Sequence, residues 1–92
     1  MEDNVKKFLD RVVDMIVSET TIDYDKKTAY TSFLPHNSLM YGSIFKEHCI
    51  NIYGLNDDEA DYVWEEYRKI IKDKLGVKEK RYRSLSDLIN DL

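Results

Sequence analysis

The chain holds one cysteine, Cys49, one proline, Pro35, and three glycines in 92 residues. A single cysteine excludes an internal disulfide framework and suits a reducing compartment. No stretch approaches the roughly twenty consecutive apolar residues of a membrane span. The first ten residues are acidic and amphipathic, unlike a secretory leader with its basic start and apolar centre. Together these absences lead to the expectation of a cytoplasmic protein. A glycine-rich phosphate loop carrying a lysine is also missing. The letters DEAD at Asp58–Asp61 therefore lack the partner that a nucleotide-driven helicase needs.

What is present suits one small domain, residues 1–92, with no internal repeat or low-complexity run. Seven tyrosines, three phenylalanines and one tryptophan supply large side chains for a core. A chain of this length buries about two thirds of its unfolded surface at most, so its stability is modest or shared with a partner. The net charge is −4, which weighs against general nucleic-acid binding.

The strongest local signal runs from Leu55 to Gly76. Asn56 caps a helix and Glu59, three residues on, completes a capping box. Ala60, Val63, Trp64, Tyr67, Ile70, Ile71 and Leu75 recur at three-and-four spacing, which is one apolar helix face. Gly76 closes the helix and Val77 is placed to fold back on Ile71. Acids crowd the start, and Lys72 and Lys74 the end, as the helix dipole favours.

An earlier amphipathic helix, capped by Asp3 or Asn4, is expected to run to about Ser18, with Val5, Phe8, Leu9, Val12, Val13 and Ile16 on its apolar side. Met15 and Val17 widen that stripe enough for part of it to form a dimer seam. Between residues 20 and 33 the β-branched Thr20, Thr21 and Ile22, the turn-like Asp25-Lys26-Lys27 and the run to Phe33 predict a short hairpin or an extended pair. With no glycine at the turn, a loop of three or four residues is expected. Leu34–Gly42 reads as a loop whose Leu39, Met40 and Tyr41 either plug the core or form a contact patch. Ser43 then caps a helix to Tyr53 with Phe45, His48, Cys49 and Ile52 on one face, so that residues 43–75 form an αα-hairpin. The expected fold is mainly α, with helices near 4–18, 43–53, 56–75 and 84–91.

No catalytic, cofactor-binding or metal-ligating set is expected. Asp57, Glu59 and Asp61 match the acidic spacing of a calcium loop, but Tyr62 falls where its glycine belongs and Arg68 where its closing glutamate belongs. His48 and Cys49, adjacent on a helix, point about 100° apart and cannot easily share one metal or act as a base–nucleophile pair. The αα-hairpin is no DNA reader, because its second helix begins with Asp57, Asp58, Glu59 and Asp61 and would be repelled by phosphates.

Two stretches near the end hold the candidate contact residues. From Arg68 to Arg83 there are eight Lys/Arg against two acids, a basic end suited to an acidic protein or a phosphate backbone. Within it, Lys78, Lys80, Arg81 and Arg83 lie on a connector, residues 77–83. After it, Leu85, Leu88, Ile89 and Leu92 make a stripe on a helix too short to stand alone in water. A basic connector leading to a short apolar helix is a common way to reach a groove on another protein. In type, the chain resembles small proteins of phages and other mobile elements.

The function expected first is therefore a non-enzymatic protein–protein interaction module: an adaptor, an inhibitor or a small assembly subunit, with homodimerisation expected as well. A nucleic-acid-associated regulator acting through residues 68–83 is the alternative. An enzyme whose site forms between subunits is the third class.

Overall fold

A computed structural model describes residues 2–76. Among these residues there are three helices, α1 (Asp3–Ser18), α2 (Gly42–Tyr53) and α3 (Asp57–Leu75), a two-stranded antiparallel sheet, β1 (Thr21–Asp23) and β2 (Thr28–Tyr30), and one 3-10 turn, Ser38–Met40. The fold is mainly α with a short hairpin, as the sequence predicts. The proposed connector 77–83, the helix 84–91 and the contact of Val77 with Ile71 lie outside the described residues.

Helix α3 is the axis of the domain. Its capping box is complete: Asn56 Oδ1 accepts from Glu59 N–H at 2.8 Å and Glu59 Oε1 accepts from Asn56 N–H at 2.9 Å. At its other end Gly76 has φ +71°, a left-handed conformation that costs a residue with a Cβ. Lys27 Nζ donates to Leu75 O at 3.1 Å, so the hairpin loop supplies a cation to the negative end of the helix. Ala60, Val63, Trp64, Tyr67, Ile71 and Leu75 are buried, which is the predicted face less the half-buried Ile70.

The other helices pack on opposite flanks of α3. Asp10 on α1 meets Tyr62, and Thr20, just past the end of α1, meets Tyr67; the contacts ascend along both chains, so the two helices run in the same direction. Leu9, Val12, Val13 and Ile16 are buried. After the turn at left-handed Gly54 α3 runs back along α2, placing Phe45 against Trp64 and Tyr67 with ring centroids 5.0 and 4.7 Å apart. Each such aromatic pair adds about 0.5–1.5 kcal/mol beyond burial of its area. Gly42 permits the approach, because a Cβ there would lie 2.8 Å from the Trp64 ring.

In the hairpin Thr21 pairs with Tyr30, Ile22 with Ala29 and Asp23 with Thr28, leaving a four-residue loop at 24–27. Asp23 Oδ1 accepts from Lys26 N–H at 3.0 Å, and Lys27 takes φ +53°. These two devices turn the chain without glycine. The strands are shorter than the run to Phe33: β2 stops at Tyr30, and Tyr24 belongs to the turn.

Several expected boundaries and faces move. Neither Asp3 nor Asn4 caps α1; Glu2 holds that position without a side-chain hydrogen bond. Ser43 does not cap α2, which begins one residue earlier behind Tyr41. Ile52 is 63 % exposed and Phe8 50 % exposed, so neither lies in the core. The loop after β2 divides: Leu34 and Ser38 are buried, Leu39 packs on the core, and Met40 and Tyr41 face outward.

Two substitutions test this construction through the fluorescence of the single tryptophan in urea. Asn56→Ala removes the cap and is expected to lower stability by about 1 kcal/mol. Gly42→Ala forces the Trp64 ring aside and is expected to cost about 1–3 kcal/mol. An unchanged unfolding midpoint for Gly42→Ala would contradict the close packing of α2 on α3.

Candidate interaction surface

The interior polar groups show what fixes the surface above them. The Tyr67 ring is fully buried, and its hydroxyl lies 2.7 Å from Ser38 Oγ and 3.2 Å from Thr20 Oγ1. Ser38 Oγ donates to Ala29 O at 3.1 Å and Thr20 Oγ1 donates to Ile16 O at 2.7 Å. With those two protons on carbonyls, the single Tyr67 proton serves the Ser38 and Thr20 oxygens in turn, one gap at a time. Burial raises the Tyr67 pKa, while the hydroxyls of Ser38 and Thr20 act the other way. Asn37 Oδ1 accepts from Ala29 N–H at 3.1 Å and from Leu39 N–H at 3.3 Å. Residues 37–39 are thus stitched to β2 and to α3, and the chain leaving them is delivered to α2 in a fixed position.

That placement leaves an apolar face uncovered. Ile44, His48 and Ile52 follow at four-residue spacing and so share one side of α2. Ile44 is 47 % and Ile52 63 % exposed, and Met40, just ahead of the helix, is 77 % exposed. The His48 ring stacks on Phe33, centroids 3.7 Å apart and planes within 5°, and Phe33 in turn tilts against Phe45 in the core. The middle of the stripe is therefore held rigid. Partial burial lowers the His48 pKa. Cys49, on the inner side, is buried and its thiol is pushed up to about 11, which keeps it protonated and unreactive at neutral pH.

A second concave region lies between α1 and α3, an open groove of about 590 Å³ whose walls include Asp10, Asp14, Tyr62, Glu66 and Ile70. Tyr62 donates to Asp10 Oδ1 at 2.7 Å, and this hydrogen bond is the main reason its pKa is pushed up to about 12. Glu66 is held by Lys69 at 3.3 Å. Nothing there pairs a nucleophile with a base. Among the described residues no three of His, Cys, Asp and Glu are gathered to hold a metal ion, and no helix is long and apolar enough to cross a membrane.

The residues singled out for partner contact, Leu85, Leu88, Ile89 and Leu92, and those singled out for nucleic acid or an acidic partner, Lys78, Lys80, Arg81 and Arg83, all lie outside the described residues. Of the basic stretch that is described, Arg68 pairs with Glu65 at 3.3 Å and sits over the Trp64 ring, and Lys69 pairs with Glu66. Part of that positive charge is thus answered on α3 itself. Helical periodicity does not mark the Ile44–Ile52 stripe, because it groups Ile52 with Phe45 and Cys49 on the buried face of α2. The four-residue spacing of Ile52 from Ile44 through His48 was the available signal. Compared with known protein families, curated proteins and solved structures, the chain matches none.

The His48 stack makes a pH prediction. Its folded-state pKa is lowered, so the unfolded chain takes up the proton first. The stability it contributes is whole above the unfolded histidine value of about 6.5 and is lost as pH falls from there through the folded-state pKa. Urea midpoints measured from pH 7.5 to 5.5 are expected to fall in the wild type and to fall less in His48→Gln. Equal slopes would contradict the burial of His48 against Phe33.

Proposed function

We propose that the protein is a non-enzymatic protein–protein interaction module acting in the cytoplasm, and that it engages its partner through the outer face of α2. The observation that carries this reading is the exposed Ile44–His48–Ile52 stripe, extended by Met40 and braced from below by the Phe33 stack. Scattered apolar residues on a surface need no explanation, but aligned ones on a rigid helix form a docking face. Two branched aliphatic side chains held on a helix lose little entropy when a partner covers them, and since Ile44 and Ile52 are about half exposed already, covering the rest is expected to yield about 1–2 kcal/mol each. The flexible Met40 adapts to the shape of what it meets. A second copy of the chain is one partner such a face accommodates, which keeps homodimerisation within this reading. A single buried thiol with no disulfide partner supports that location.

The test is reconstitution. Proteins retained stoichiometrically by the tagged full chain are identified, purified and titrated calorimetrically against it. Ile44→Lys with Ile52→Lys is expected to weaken binding by at least tenfold, while the remote exposed change Asp25→Lys leaves it intact. Sedimentation over a concentration series applies the same comparison to self-association. If neither a complex nor a dimer responds to the α2 pair, the reading fails.

A further inference from the structure

The exposed row on α2 has an isoleucine four positions before His48 and another four positions after it. Read from either end of the helix, the row is the same. We infer that the partner this face takes is a second copy of the chain, packed antiparallel across a two-fold axis at His48, so that each Ile44 meets Ile52 of the other copy. The inference rests on the reading of this face as an interaction surface and goes on to name the partner.

Three observations favour this occupant. The first is self-complementarity. A two-fold interface sets residue i against j and j against i, which a row that reads alike in both directions satisfies with matched side chains at every level. Rows at four-residue spacing are also the ridges that interdigitate in the commonest class of helix crossing, at about 50°. The second is charge. Burial lowers the His48 pKa, so the centre of the row is uncharged near neutral pH. Of the charges beside it, Lys46 is paired with Asp61 at 3.0 Å, and Glu47 stands about 100° round the helix from His48. The other exposed apolar pair on a described helix is Phe8 and Met15 on α1. Exposed Arg11 lies between them at three-and-four spacing, and a two-fold there would bring two guanidinium groups together. The third is stiffness and size. The Phe33 stack already fixes the His48 ring, so little is left to order on association. One helix face falls short of the ~800 Å² per partner of a standard interface, so the dimer is expected to be weak, with a Kd above about 10 μM.

Disulfide trapping in the full chain reads the register. Across the axis, position 44 stands level with position 52 of the other copy but about 12 Å along the helix from its own counterpart, beyond the roughly 7 Å that a disulfide spans. An oxidised mixture of Ile44→Cys and Ile52→Cys is therefore expected to give at least tenfold more covalent dimer than either variant alone. Cys49 is buried and takes no part. In sedimentation the wild type is expected to approach the mass of two chains as its concentration rises toward about 1 mM. Ile44→Lys is expected to stay monomeric with its tryptophan unfolding transition intact. A wild type that stays monomeric throughout overturns the inference; if a different protein then binds through Ile44 and Ile52, the reading of the surface survives it. A dimer that persists in Ile44→Lys also overturns it, and so do variants that link to themselves as readily as to each other.

Discussion

A tyrosine hydroxyl sealed inside a small apolar core is the constraint on which the rest of the domain depends. The Tyr67 ring contributes to the core as any aromatic would, but its oxygen has to be answered, since an unpaired buried hydroxyl costs about 1–3 kcal/mol. Ser38 and Thr20 answer it. The first belongs to the loop after the hairpin and the second to the exit from α1. One polar atom therefore joins α1, α3 and the loop, and Ser38 carries the connection on to β2 through Ala29 O. A two-stranded sheet of three residues a side is marginal alone. Here it is held between this network and the Lys27 contact with Leu75.

The consequence for function is positional. Because residues 37–39 are fixed, Met40 and Tyr41 face outward and α2 starts at Gly42, close against Trp64. Phe45 and Cys49 then turn inward, and Ile44, His48 and Ile52 are left on the outer side. A short helix with apolar residues on more than one side cannot bury them all against a single neighbour. The side that loses is left exposed. The exposed face is thus a by-product of how tightly the inner face is held, and the Phe33–His48 stack gives it stiffness. In the α1–α3 groove Tyr62 is hydrogen-bonded to Asp10, and Glu66 is paired with Lys69.

How much of this was legible in the sequence depended on the range of the forces involved. Helix α3 was readable at both ends because Asn56, Glu59 and Gly76 act within a turn of where they stand. The starts of α1 and α2 were not, because Glu2 and Tyr41 hold the cap positions without a side-chain hydrogen bond and leave no residue signature. The hairpin was legible in place but not in length. Pairing ends at Tyr30, where the chain turns away to bury Leu34. Ser38 looked like an ordinary turn residue, since its partner Tyr67 is 29 positions away and nothing local marks such a pairing. Ile52 was misplaced for a related reason: which side of a helix is buried is decided by its neighbour, and periodicity alone only proposes it. The candidate contact residues beyond Gly76 lie outside the described residues.

The measurement that bears most directly on this account is a double-mutant cycle on Tyr67→Phe and Ser38→Ala, read as unfolding free energies in urea. If one shared hydroxyl pair fixes the loop, each single change destabilises the protein and the double variant loses distinctly less than their sum, a coupling of about 1 kcal/mol or more. Strictly additive losses would mean that Tyr67 and Ser38 act independently. The geometry of the α2 face would then need another cause.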